Sequence, residues 1–322
     1  MSDRRISLAI PIYNEAGVLP ELLRRVRSTL DEIPGGPHEA VLVDDGSSDG
    51  SAAILDRAAE EDPRLVAVHL SRNFGHQAAL SAALDHVDGD VVVLMDGDLQ
   101  DPPEEVHRFL AKHDEGYDVV YAVRRDRKES WVLRACYFLF YRLIAMVSDI
   151  RLPLDSGDFA LLSRRVVDQI RRAPEHNRYL RGLRAWVGYR QVGIPVERSE
   201  RFAGTPKYST WRLIKLALDG IFAFSLVPLR LAALLGLVGM GGAFAYALYA
   251  LYARLVLEES PQGFTALVVM IVFLASVQLL FLGVLGEYLG RVYEEVKRRP
   301  HYIVGDVVRR RGTSAGAPPA GS

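Results

Sequence analysis

The chain has 322 residues and a formal net charge of −1 at pH 7, with 39 lysine and arginine residues against 40 aspartate and glutamate residues. This balance excludes a general electrostatic attraction to nucleic acid, and the lone cysteine, Cys136, excludes both an internal disulfide framework and a zinc site built from several cysteines. The length is sufficient for two domains, or for one domain and a membrane part.

The first 124 residues alternate between short apolar runs and segments with helical periodicity. The apolar runs that predict β-strands lie at residues 6–12, 39–43, 65–70, 91–95 and 118–123. Strands that alternate with helices indicate a parallel sheet, covered on both faces and joined by right-handed crossovers. Because ligands bind at the carboxyl edge of such a sheet, polar groups that follow the strands are expected to converge there.

The most informative stretch is residues 90–104, DVVVLMDGDLQDPPE. Its apolar run predicts a buried strand, and Asp96 and Asp98 follow at the exit of that strand. Residues 101–104 have the pattern of a capping box that starts a helix. Two carboxylates one residue apart are hard oxygen donors suited to Mg²⁺ or Mn²⁺ carrying a diphosphate, although a solvated acidic turn has the same pattern.

Two long uncharged runs lie in the last third of the chain. Residues 231–253 and 260–286 contain no charged side chain, and a helix of such length, at about 1.5 Å per residue, spans a hydrocarbon core of about 30 Å. Basic residues flank the outer ends of the two runs, and Glu258 and Glu259 lie in the link between them. By the positive-inside rule we predict a multi-pass protein of the inner (plasma) membrane, with the sheet domain and both termini in the cytoplasm.

Two further segments are predicted to lie in the membrane interface, at about residues 130–148 and 210–228. The first is rich in aromatic side chains and fits a core helix as well, but the later apolar runs favour the interface. Glycines at positions 283, 286 and 290 lie on the second apolar run and its continuation. They would allow another helix to approach closely, from the first run or from a second copy in a homo-oligomer.

The polar motifs of this chain, taken in their order, resemble those of inverting glycosyltransferases of family 2 with the GT-A fold. More narrowly they resemble the polyprenyl-phosphate glycosyltransferases, which include dolichyl-phosphate mannose synthases and undecaprenyl-phosphate glucosyltransferases. The motifs are PIYNE at 11–15, DDGSSDG at 44–50, SRNFGHQ at 71–77, DGDLQDPPE at 96–104, SGDF at 156–159, RFAGTPKY at 201–208 and GRVYEEVK at 290–297. One departure is Thr205-Pro206, where the family pattern has a serine or threonine directly before the lysine.

The resemblance implies an α/β fold, in which a GT-A domain with a Rossmann-like, mostly parallel sheet is followed by two transmembrane helices. We accordingly predict a cytosolic catalytic domain at residues 1–228 and transmembrane helices at 229–257 and 260–288. A basic cytoplasmic tail, disordered at its end, is predicted at 289–322.

The resemblance also implies a role for each polar group near the strand ends. The catalytic residues would be Asp98 and Asp158, with Asp158 either a base or a group that orients the substrates. The donor-binding residues would be Pro11, Tyr13, Glu15, Asp44, Asp45, Asp96 and Lys207, with Asp44 hydrogen-bonded to the nucleotide base. Arg124, Arg134 and Arg201 would bind the acceptor phosphate, and Asp96, Asp98 and Gln100 would hold Mg²⁺ or Mn²⁺. Asp45 fits a turn-forming role equally well, and His76 is either a neighbour of the phosphates or a surface histidine.

We expect from this resemblance a membrane-bound, metal-dependent hexosyltransferase that moves one sugar from a nucleotide sugar, UDP-glucose first, to polyprenyl (undecaprenyl) phosphate. The alternatives are a mannosyltransferase that uses GDP-mannose, a processive polysaccharide synthase, and an inactive membrane-tethered sensor of sugar nucleotides. A phosphate acceptor is already anionic at pH 7, so its oxygen can attack without losing a proton.

Overall fold

The computed structural model describes residues 4–124, 156–173, 175, 178–197, 227–256 and 263–310. The chain divides into two compact units, the first made of Met1–Cys136, Ile150–Lys207 and Arg299–Ser322 and the second of Tyr137–Asp149 and Tyr208–Arg298. Arg134, Arg201 and Lys207 lie outside the described residues, as do the predicted interfacial segments up to residue 226.

An eight-stranded sheet forms the centre of the first unit. Its strands are β1 (Ile6–Ile12), β2 (Glu39–Asp44), β3 (Leu65–Leu70), β4 (Val91–Leu94), β5 (Val119–Arg124), β6 (Ser156–Ser163), β7 (Gln191–Val196) and β8 (Val304–Arg309). Their order across the sheet is β7-β5-β6-β4-β1-β2-β3-β8. Among these strands, four of the seven pairings are parallel, whereas β6 runs antiparallel to β4 and β5, and β8 antiparallel to β3. The sheet is therefore mixed but mostly parallel, as the sequence predicted.

Helices cover both faces of the sheet. They are α1 (Leu19–Glu32), α2 (Ser51–Glu61), α3 (His76–His86), α4 (Val106–Asp114), α5 (Arg164–Arg172) and α6 (Leu180–Trp186). Because side chains alternate across a strand, Leu8 and Ile10 of β1 join one buried cluster and Ala9 joins the other. Burial on both faces explains why the central strands appear in the sequence as continuous apolar runs.

The turn after β4 differs from the predicted capping box. A short 3₁₀ turn (Pro103–Glu105) precedes α4, and among the described residues no side chain caps it. Glu104 instead accepts two hydrogen bonds from Arg25 of α1, at 2.8 and 2.5 Å. A guanidinium offers two parallel donors to a carboxylate, so this tertiary ion pair takes the place of the local contact that the sequence predicted.

The segment predicted as a tail also differs from expectation, because part of it belongs to the sheet. β8 pairs with β3, the hydroxyl of Tyr302 donates to Asp85 at 2.7 Å, and the N–H of Ser71 donates to the carbonyl of Ile303 at 2.9 Å. An open strand edge exposes unpaired backbone groups. β8 therefore pairs with the outer edge of β3 and completes the sheet of the first unit from the far end of the chain.

The second unit contains two long apolar helices, α7 (Val227–Val256, 30 residues) and α8 (Phe264–Lys297, 34 residues). The segments Leu229–Ala253 and Leu267–Lys297 are long and apolar enough to cross a membrane. Large apolar side chains are exposed along both helices, so neither is the core helix of a soluble protein. The chain is therefore membrane-associated. α8 ends at Lys297, beyond the limit of residue 288 that the sequence predicted.

Candidate active site

The loops that follow β1, β2 and β3 are joined by hydrogen bonds at the carboxyl edge of the sheet. The buried side chain of Asp45, after β2, accepts the N–H groups of Phe74 and Gly75 at 2.7 and 2.9 Å, in the loop after β3. The N–H of Asn14, after β1, donates to the hydroxyl of Ser47 at 3.0 Å. Burial raises the pKa of Asp45, and the two N–H donors offset only part of this rise. The geometry thus supports the loop-forming role of Asp45, and its contact with the donor stays a prediction.

Gly46 lies where two of these loops touch. Its φ is +70°, and a Cβ there would lie 2.6 Å from backbone atoms of Arg72 and Asn73. We expect Gly46→Ala to lower the free energy of unfolding by about 3 kcal/mol, because it adds backbone overlap to the cost of a left-handed conformation. Gly50→Ala is the matched control, because the φ of Gly50 is +92° and no described atom lies within 4 Å of the Cβ that alanine would add. This substitution should lower the free energy of unfolding by about 1 kcal/mol. Equal melting temperatures for the two variants in detergent would contradict the close contact.

Asp44, the last residue of β2, is held by two donors. One oxygen accepts the N–H of Ser47 at 3.1 Å, and the other lies 3.3 Å from Nδ1 of His69. Burial raises the pKa of Asp44, but the hydrogen bonds from His69 and Ser47 outweigh it, so the pKa lies below the ordinary value. Asp44 is therefore an ionised, oriented acceptor. His69 was not among the residues that the sequence singled out.

The other residues predicted to bind the donor lie along the end of β1. Pro11 is buried in the strand, and Gly97 packs closely against its carbonyl oxygen. Tyr13 is half-exposed just beyond the strand, and the N–H of Glu15 donates to the hydroxyl of Ser51 at 3.1 Å. All three residues thus lie at the edge that carries Asp44 and Asp96, and their contacts with a donor stay predictions.

The pairing of β4 with β6 brings two acidic residues together across the sheet. Leu94 of β4 lies opposite Ala160 of β6, and the same register, carried two residues further, sets Asp96 opposite Asp158. Nε2 of His76, the first residue of α3, lies 3.5 Å from an oxygen of each carboxylate. The potential ligand atoms of His76, Asp96 and Asp158 all lie within 4.8 Å of one another. This His-Asp-Asp group is a candidate site for a divalent cation.

The two carboxylates of this group have different electrostatic environments. Arg181 of α6 donates from Nε and Nη2 to the two oxygens of Asp158, at 2.6 and 2.7 Å. Burial raises the pKa of Asp158, but Arg181 and His76 outweigh it and hold the pKa well below the usual range. Burial raises the pKa of Asp96 to about 6; nearby carboxylates add to the rise and His76 opposes it. Asp158 is thus ionised at neutral pH, whereas Asp96 takes up a proton at a higher pH than an ordinary aspartate does.

The residues that the sequence assigned to the metal fit a divalent cation. Asp98 and Gln100 flank Leu99, whose φ of +58° is a strained conformation for a residue other than glycine, and Asp98 accepts the N–H of Gln100 at 3.1 Å. Asp96, Asp98 and Gln100 supply the oxygen atoms that Mg²⁺ and Mn²⁺ prefer. Burial is the main cause of the raised pKa of Asp96, and the positive charge of a divalent cation would oppose that rise.

The predicted acceptor-phosphate residues lie mostly outside the described part of the chain. Arg124 is the last residue of β5, and nothing beyond its backbone is described. Arg134 and Arg201 are outside the described residues, as is Lys207 of the donor set. The acceptor site therefore stays a prediction.

Comparisons with known proteins agree with this fold. The family model described as glycosyl transferase family 2 matches residues 7–171. An uncharacterised glycosyltransferase of Synechocystis is 44% identical over 303 residues, or 94% of this chain and 95% of the relative. The SfII prophage-derived bactoprenol glucosyl transferase of Shigella flexneri is 40% identical over 301 residues, or 93% and 97% of the two chains.

A solved structure also resembles this chain. It is the mannosyltransferase PcManGT from Pyrobaculum calidifontis, in complex with GDP-Man and Mn²⁺. The match has a TM-score of 0.50 and 26% identity, and it covers 68% of this chain and 63% of that chain. The chain belongs to glycosyltransferase family 2, and its catalytic unit has a GT-A-like mixed sheet. The family and the fold class expected from the sequence are both confirmed.

Proposed function

We propose that this protein is an inverting, metal-dependent glucosyltransferase that transfers glucose from UDP-glucose to a polyprenyl phosphate, undecaprenyl phosphate above all. The observation that carries the proposal is the 40% identity, over 93% of this chain, to the SfII prophage-derived bactoprenol glucosyl transferase of Shigella flexneri. The acidic cluster at the carboxyl edge of the sheet and the two apolar helices support it.

The donor would bind along the ends of β1, β2 and β4. Asp44 would accept a hydrogen bond from the base, with Pro11, Tyr13 and Glu15 around the base and ribose. Asp96, Asp98 and Gln100 would hold Mg²⁺ or Mn²⁺, and His76 and Asp158 lie beside Asp96. When bound, the cation supplies positive charge that stabilises the departing nucleoside diphosphate.

Asp158 would orient the substrates rather than remove a proton. Its pKa lies well below the usual range, which makes it a weak base at neutral pH. The acceptor phosphate does not need a strong base, because its oxygen is already anionic. That oxygen would attack the anomeric carbon from the side opposite the leaving diphosphate, so the configuration at that carbon inverts. The low pKa of Asp158 supports this role over that of a general base.

The two apolar helices fit the lipid acceptor. A polyprenyl chain stays in the bilayer, so an enzyme anchored in the same bilayer meets its acceptor by lateral diffusion. We infer a multi-pass protein of the inner membrane, with the catalytic unit and both termini in the cytoplasm, where nucleotide sugars are made. Gly283, Gly286 and Gly290 on α8 would allow the helices of two copies to pack closely.

A transfer assay with a panel of donors tests this proposal. The purified full-length protein in lipid nanodiscs would be incubated with a short-chain polyprenyl phosphate and labelled UDP-glucose, GDP-mannose or UDP-N-acetylglucosamine. We expect labelled lipid from UDP-glucose, loss of labelling with EDTA, and recovery when Mg²⁺ or Mn²⁺ is added in excess. Labelling from GDP-mannose alone would favour the mannosyltransferase alternative. Absence of labelling from every donor would overturn the enzymatic function.

A further inference from the structure

The side chain of His69 lies between two carboxylates, one at the donor edge of the sheet and the other on a helix. His69 is on β3 and is largely buried, with 15% of its side chain exposed. Its Nδ1 lies 3.3 Å from Asp44 at the end of β2, and its Nε2 lies 2.7 Å from Asp56 of α2. The ring of His69 thus links Asp44 to α2.

The chemistry of the two partners determines the protonation state of the ring. Ionised carboxylates accept hydrogen bonds but cannot donate them, so both ring nitrogens must carry a proton. The hydrogen bond to Asp44 raises the pKa of His69, and that to Asp56 adds to the rise, against the opposing effect of burial. A third carboxylate, that of Asp306 on β8, belongs to the cross-strand partner of His69. The two hydrogen-bonded carboxylates therefore favour the imidazolium form of His69.

The position of the His69 ring constrains the side chain of Asp44. One oxygen of the Asp44 carboxylate is fixed by the N–H of Ser47 and the other by His69. The χ2 torsion of an aspartate is otherwise broad, so two donors on different oxygens select one orientation. An ionised carboxylate offers about four lone-pair sites, so an acceptor site is left on each oxygen for a ligand.

We propose that His69 is a positioning residue for nucleotide recognition, which holds Asp44 in the orientation that accepts an N–H group of the donor base. The inference rests on the proposed function, because the contact of Asp44 with the base is part of that proposal. A base with a ring N–H next to a carbonyl, such as uracil, is the chemical class that a fixed carboxylate would select.

Two substitutions separate this role from a general structural one, because each preserves one half of the imidazole. The amide nitrogen of asparagine is attached at the same position as Nδ1, so His69→Asn can keep the bond to Asp44. The amide nitrogen of glutamine lies further out, near the position of Nε2, so His69→Gln can keep only the bond to Asp56. We expect His69→Gln to raise the donor KM about tenfold and to leave the acceptor KM unchanged, whereas His69→Asn stays within about threefold of the wild type.

Asp56→Asn is the matched control. It changes the outer partner of His69, on a residue whose side chain is 42% exposed, and it leaves Asp44 and His69 in place. Its donor KM should stay within about threefold of the wild-type value. The proposal is overturned if His69→Asn and His69→Gln have the same donor KM, if their order is reversed, or if Asp56→Asn raises the donor KM as much as His69→Gln does.

A binding measurement keeps this test separate from the proposed function. The Kd of UDP, measured by calorimetry on the full-length protein, should follow the same order for the wild type, His69→Asn and His69→Gln. An absence of glucosyl transfer by the wild type would refute the proposed function while this order of UDP affinities still supports the role of His69. Equal UDP affinities in an enzyme that transfers glucose would refute the role of His69 and leave the function intact.

Discussion

Asp98→Asn should leave the protein in the membrane and lower kcat/KM for sugar transfer by about 10³-fold or more. The substitution removes a charged oxygen ligand from the acidic cluster, so the cation that stabilises the leaving diphosphate would bind weakly. Initial rates at saturating Mg²⁺ or Mn²⁺ measure the effect, and membrane fractionation checks that the variant is inserted. Near-normal activity in this variant would contradict the metal assignment.

Asp88→Asn is the matched control for this experiment. Asp88 is exposed and precedes β4, so it lies at the opposite end of the strand that leads to Asp98. The same loss of charge there should change activity by less than about twofold. Mn²⁺ binding, followed by electron paramagnetic resonance, should weaken in Asp98→Asn and stay unchanged in Asp88→Asn.

The same binding measurement distinguishes two sets of metal ligands. The sequence assigned Asp96, Asp98 and Gln100, whereas among the described histidine and acidic residues His76, Asp96 and Asp158 bring potential ligand atoms within 4.8 Å of one another. Weaker Mn²⁺ binding in Gln100→Ala, with little change in His76→Ala, would support the set that the sequence predicted. The reverse result would place the cation between β4, β6 and α3.

Asp158→Asn should lower kcat by about 10²–10³-fold without a comparable rise in the donor KM. Asp158 is 7% exposed and accepts both hydrogen bonds of Arg181, so its carboxylate has a fixed direction and a full charge. An asparagine keeps the shape but loses the charge. Steady-state rates with each substrate varied in turn measure the effect, and a kcat within about threefold of the wild-type value would remove Asp158 from the reaction.

Arg181→Met, alone and combined with Asp158→Asn, separates catalysis from folding. Removing one partner leaves a charge without its ion pair, so each single variant should lose about 2 kcal/mol of stability, and the double variant should recover part of that loss. If Asp158 acts in the reaction, the recovery of stability in the double variant will not restore kcat. Parallel recovery of both quantities would show that Asp158 has a structural role only.

Much of the fold could be predicted from the sequence because the signals are local. β3 begins and ends where the apolar run predicts, at Leu65 and Leu70, and the strand before Asp96 and Asp98 lies within one residue of its predicted limits. The periodicity and polarity of a segment can be recognised from neighbouring residues alone. The motifs were also sufficient to identify the glycosyltransferase family, which the comparisons confirm.

Contacts between distant parts of the chain could not be predicted in this way. β8 is a short segment in a basic region, and its pairing with β3 joins residues more than 230 positions apart. The predicted capping box gave way to an ion pair between Glu104 and Arg25, which are 79 positions apart. The local pattern fits a tail at β8 and a capping box at Glu104. In both segments a contact with another element determined the structure that forms.

The sequence by itself determined the first five strands, the acidic residues that follow β2 and β4, the two apolar helices and the family. Only the tertiary structure decided how those acidic residues differ: Arg181 and His76 hold Asp158 ionised, burial raises the pKa of Asp96 to about 6, and His69 fixes Asp44. The physical reason is that a pKa depends on burial and on the charges of neighbouring elements. Those neighbours come together only when the sheet and its helices have assembled.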